Sequence, residues 1–121
     1  MQKIVTNRCY GGFSLSQPAM LRYAEIKGIK LYPAQQRGLV IYWLVPKDQR
    51  TQSNEAYARD TIYARYIERD DPALIQTIEE LGEAANGEFT KLEITEIPDG
   101  VEWKVEEYDG QEWVAEAHRT W

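Results

Sequence analysis

The sequence predicts an α+β fold: a mostly antiparallel sheet of about five strands with two helices packed on one face. Three observations predict it. The run "DDPALIQTIEELGEAANG" (70–87) starts like a proline-capped helix and carries one apolar face, "LVIYWLV" (39–45) is a continuous apolar run of strand length, and Asp109-Gly110 separates two alternating runs as a hairpin turn does. At 121 residues the chain is expected to be a single domain, 1–121, large enough to bury one core without disulfides or metals.

Each element has a local reason. "KIVTNRCY" (3–10) alternates around Ile4 and Val5 as a short strand, and Gly11 and Gly12 permit a tight bend after it. A helix follows, with Ser16 as N-cap, Pro18 in the first turn, Leu15 and Met20 at hydrophobic-staple spacing, and Gly28 as the stop. "IKLYPAQ" and "GLVIYWLVP" read as strands joined by a turn near Gln36–Gly38, and continuous apolarity from Leu39 to Val45 predicts a central strand covered on both faces.

Lys47 to Asn54 is polar and reads as a mobile loop. "EAYARDTIYARYIER" (55–69) fits a helix through Ala56, Tyr63 and Ile67 or a strand through "TIYARYI". In the next helix Asp71 caps, Pro72 takes the first position, Leu74, Ile75, Ile78 and Leu81 share a face, and Gly87 is the predicted end. "FTKLEITEIP" (89–98) is a strand. The remainder is a hairpin that pairs Tyr108 with Gln111, or a helix with an Asp109–Glu112 capping box; Trp103, Val105, Trp113 and Val114 favour the hairpin.

Twenty acidic residues against fourteen basic ones give a net charge of −6, which opposes attraction to nucleic acid and anionic membranes. The single Cys9 excludes an intrachain disulfide and a cysteine-rich zinc site, no cofactor is called for, and the default location is a reducing cytoplasm. The longest apolar run is far too short to span a bilayer, so a soluble protein is expected.

The blocks "NRCYGGFSLS", "RDDPALIQTIEELGEAANG" and "EIPDGVEWKVEEYDGQEWVAEAHRTW" cover about half the chain and together resemble a family of small proteins met in tailed-phage and prophage genomes. Residues 29–67 carry no part of that resemblance. It implies an accessory protein acting in the cytoplasm of a bacterial host, where such proteins often antagonise defence by sequestering a nucleotide signal or blocking a host protein. It carries over no site residues.

The residues themselves nominate sites. A strand, Gly11-Gly12 and a helix start place backbone amides near Arg8, the arrangement that holds phosphate or carboxylate groups, or they form a structural corner. In the hairpin register Glu107 faces Glu112, Trp103 faces Glu116 and Val101 faces His118, so two like charges oppose each other and call for a cation such as Arg8, Arg119, a partner's base or a bound metal. The expected function is non-enzymatic binding of a small anionic, nucleotide-like ligand between the N-terminal stretch and the last strand. Asn7, Arg8, Tyr10, Gly11, Gly12 and Ser14 would supply one wall, and Glu112, Glu116, His118, Arg119 and Trp121 the other. Self-association would close such a pocket.

Two other classes stay open. An acidic inhibitor would present Glu102–Glu116 to a basic host protein, and a small hydrolase would use Glu112, Glu116 and His118 as a metal or acid–base set. Cys9 with His118 as a nucleophile–base pair is a further possibility that requires the first and last strands to meet.

Overall fold

A computed structural model describes residues 1–36, 38–51 and 53–117. Strand β1 (Gln2–Asn7) leads to helix α1 (Gln17–Ile26), hairpin strands β2 (Tyr32–Gln36) and β3 (Leu39–Trp43), helix α2 (Asn54–Asp60) and the short β4 (Thr61–Ile62). Helix α3 (Pro72–Leu81), β5 (Leu92–Ile97), β6 (Trp103–Tyr108) and β7 (Gln111–Glu116) complete the described elements.

The predicted single sheet is not what forms. The strands divide into three sheets, β1-β5, β2-β3-β4 and β6-β7, and there are three α-helices among the described residues. The cause lies on the outer edge of β1. Its even-numbered side pairs with β5, and Arg8 continues that ladder by donating its amide to the Lys91 carbonyl (2.7 Å). The amides of the opposite edge are taken by other groups: Val5 donates to the Arg69 carbonyl (2.8 Å) and Asn7 to the Glu112 carboxylate (2.9 Å). Strand β7 lies beside β1, but a side chain occupies the place of a ladder bond, so the two sheets abut without merging.

Several local expectations have direct counterparts. Ser16 accepts from the Ala19 amide and Asp71 from the Ala73 amide, each with proline in the first turn of its helix. Helix α3 stops earlier than Gly87, because Gly82 adopts a positive φ of 56° and a 3₁₀ turn, Gly82–Ala85, follows. Strand β3 is central in its three-stranded sheet, yet Leu39 and Val40 are exposed, so it is not covered on both faces. The ambiguous 55–69 segment divides: its first part completes α2, and "TIYARYI" supplies β4 and a 3₁₀ turn at Ala64–Tyr66.

The core joins β1 to the helices through Val5, Met20, Tyr23, Leu74, Ile75 and Ile78. The Tyr23 hydroxyl (2.7 Å) and Lys27 ammonium (3.1 Å) both donate to the Asp71 carboxylate, tying α1 to the start of α3. Burial works against that charge, but hydrogen bonds from Tyr23, Lys27 and the Ala73 amide outweigh it and hold the Asp71 pKa below its usual value. This part of the helix contact is present above the ordinary carboxylate range and is lost as pH falls through the lowered value.

Strand β1 is buried on both faces, and the Thr6 hydroxyl has no hydrogen-bond partner among the described residues. An unpartnered buried hydroxyl costs about 1–3 kcal/mol. Thr6→Val is therefore expected to stabilise the fold by about 1 kcal/mol, read as a higher urea midpoint at unchanged slope.

Candidate functional site

The stretch "NRCYGGFSLS" builds a packed corner. The Asn7 amide uses its full hydrogen-bonding capacity: Nδ2 donates to the carbonyls of Cys9 (2.7 Å) and Gly110 (3.0 Å), and Oδ1 accepts from the amides of Cys9 and Lys91 (3.0 Å each). Gly11 donates to the Phe89 carbonyl (3.1 Å), the Gly12 carbonyl accepts from Thr90 Oγ1 (3.1 Å), and Ser14 Oγ shares a 2.7 Å hydrogen bond with the same threonine. Arg8 pairs with Glu93 (2.6 Å), and Tyr10 stacks on Phe89 in the open. The first and last strands lie side by side here.

What fills their junction is an ion pair. Glu112, only 5% exposed, receives both Arg69 Nη1 (2.5 Å) and Nη2 (2.9 Å) in a fork that also places the guanidinium over the Phe13 ring at 3.6 Å. Glu107 faces Glu112 as predicted, and Arg69 is the cation that relieves the opposition. Sequence reasoning nominated Arg8 or Arg119 because Arg69 sat in a segment of undecided structure.

Glu116 is exposed and pairs in register with Trp103. It stands four residues along the strand from Glu112, roughly 13 Å by the strand rise, too far for one metal ion or one proton to link the two. No group of three or more potential metal ligands converges among the described residues, and Cys9 is half-buried. His118, Arg119 and Trp121 lie outside the described residues.

A second place carries binding chemistry the sequence reading missed. Between β3 and α2 a cavity of about 450 Å³ is lined by Trp43, Lys47, Arg50, Thr51, Asn54 and Tyr57, with Ser53 beside them as the α2 cap. The Trp43 and Tyr57 rings meet edge to face, centroids 5.4 Å apart. Arg50 lies over the Trp43 ring at 4.8 Å while its Nε reaches the Val45 carbonyl at 3.5 Å, so the guanidinium is held in place with its two terminal nitrogens unbonded among the described residues. Next to it, about 430 Å³ of open space shares Tyr57, and there Arg65 lies over the rings of Tyr63 (5.4 Å) and Tyr66 (5.0 Å).

The electrostatics single out this cavity. Lys3, Arg8, Arg22, Lys27, Arg59, Arg69 and Lys104 all pair with carboxylates, whereas Lys30, Lys47, Arg50, Arg65 and Lys91 have no acidic partner among the described residues; of these, Lys47 and Arg50 line one cavity together, with no carboxylate among the described residues that line it. A cavity of similar size, about 440 Å³ between the start of α1 and the β2–β3 hairpin, has Glu88 as the one charged residue among the described residues that line it. The available sequence signal was basic residues interleaved with Trp43 and Tyr57 inside an acidic chain; the polar, aperiodic 47–54 run hid it. No family model, no curated protein and no solved structure matches the chain.

Proposed function

We propose that this chain is a phage-type accessory protein that holds a small anionic, nucleotide-like ligand without transforming it, and that the ligand occupies the cavity between β3 and α2. One observation carries the reading: in a chain of net charge −6, two cations without acidic partners among the described residues converge with two aromatic rings on a cavity of about 450 Å³. That volume lies within the usual range for small-molecule sites. Arg50 is positioned to fork onto a phosphate, and Lys47 adds a second charge. Thr51 and Asn54 supply neutral polar groups, and the half-buried Tyr57 ring, set edge to face with the buried Trp43, offers a surface for a planar base.

The phage-type resemblance supplies the setting, in which holding such a molecule sequesters a host defence signal. The ligand class is the one the sequence suggested, but the site is different. At the glycine corner the Gly11 amide, Arg8 and Glu112 already have partners within the protein.

Calorimetric titration with AMP and with inorganic phosphate tests the reading. The wild type is expected to bind AMP more tightly than phosphate. Arg50→Ala is expected to weaken AMP binding about tenfold or more, as loss of a charged hydrogen-bonding group does, while Arg8→Ala leaves it unchanged. Weakening by Arg8→Ala and not by Arg50→Ala would return the ligand to the glycine corner.

A further inference from the structure

Two exposed aromatic side chains stack beside the β6–β7 turn, and a third stands at the strand end that enters it. Tyr10 is 63% exposed, Phe89 58% and Tyr108 78%. The Tyr10 and Phe89 rings stack with centroids 5.8 Å apart and planes 29° from parallel. Tyr108 flanks the Asp109-Gly110 turn of the β6–β7 hairpin, and Gly110 rests directly on the backbone of Tyr10: a Cβ there would lie 2.1 Å from the Tyr10 carbonyl oxygen.

The protein builds this display against local cost. Phe89 has φ +55°, in the left-handed region where a bulky aromatic residue is rare, and the result is a ring held outward. Gly11 makes the arrangement possible, because a Cβ at that position would lie 2.4 Å from both the Cβ and the carbonyl oxygen of Phe89.

Charge identifies the occupant. Glu88 precedes Phe89 and Asp109 follows Tyr108 in the chain, both exposed and both without an ion-pair partner among the described residues. From residue 87 to 117 ten Asp and Glu stand against two Lys. Exposed aromatic faces inside an acidic field suit arginine side chains, which stack on the rings and pair with the carboxylates at once. The geometry points to a docking surface, formed by Tyr10, Phe89 and Tyr108 with Glu88 and Asp109, for an arginine-presenting segment of a partner protein. This surface is separate from the Trp43 cavity and does not depend on it.

Fluorescence anisotropy with a labelled arginine–glycine repeat peptide tests the proposal, with a lysine–glycine peptide of equal length and charge as comparison. The wild type is expected to prefer the arginine peptide. Phe89→Gly removes the ring and relieves the left-handed backbone, so it should weaken binding at least fivefold with a thermal midpoint equal to or above wild type. Asp109→Asn, which keeps a residue suited to positive φ, should weaken binding as well. Equal affinity in wild type and Phe89→Gly, or no preference for arginine over lysine, overturns the proposal. So does sedimentation that shows a wild-type oligomer dissolved by Phe89→Gly, since the occupant would then be a second copy of the chain.

Discussion

Glu112→Ala is expected to remove about 3–5 kcal/mol of folding stability, the range for breaking a buried ion pair by deleting one partner. The substitution leaves the Arg69 guanidinium, itself largely buried, over the Phe13 ring with no counter-charge, and it frees the Asn7 amide at the edge of β1. Glu112→Gln should cost roughly half as much, because the amide oxygen still accepts from Asn7 and from one arginine nitrogen. Arg69→Met with Glu112→Ala should cost clearly less than the sum of the two single changes, since no uncompensated charge remains. Urea denaturation of wild type, Glu112→Ala, Glu112→Gln, Arg69→Met and the double variant checks this. A strictly additive cycle would mean that the pair does not hold β7 against β1.

Gly11→Ala comes next in size, at about 3 kcal/mol. The added methyl group meets Phe89 at 2.4 Å, and one of the atoms it meets is the backbone oxygen that accepts the Gly11 amide. Overpacking of this kind costs about 1–3 kcal/mol, and loss of the hydrogen bond adds about 1 kcal/mol. Gly12→Ala differs in kind: φ is +81° but nothing stands near the new atom, so only the left-handed penalty of about 1–2 kcal/mol applies. Thermal or urea unfolding should therefore rank Gly11→Ala well below Gly12→Ala. A Gly11→Ala protein as stable as wild type would mean that the corner is not packed against Phe89.

These two sites show where sequence reasoning reaches and where it stops. The β6–β7 hairpin was legible to its register: Asp109 and Gly110 both have positive φ, 52° and 87°, as a tight hairpin turn requires, and Glu107 faces Glu112. The helix starts at Ser16 and Asp71 were legible because capping is a local code. The break between sheets was not. It depends on Arg69 and Glu112, 43 residues apart, reaching the amide edge of a third segment, and no local pattern encodes that meeting. The Trp43 cavity was hidden for a related reason: Lys47 and Arg50 belong to an aperiodic run, and only the return of α2 brings Tyr57 to the Trp43 ring.

On the proposed function, the ligand occupies the cavity between β3 and α2 and not the glycine corner. Native mass spectrometry of the protein purified from bacterial cells as wild type, Arg50→Ala and Arg8→Ala tests it most directly. The expected result is a bound small anion on the wild type and on Arg8→Ala, absent from Arg50→Ala. An anion retained by Arg50→Ala and lost from Arg8→Ala would contradict the claim and place binding on "NRCYGGFSLS" instead.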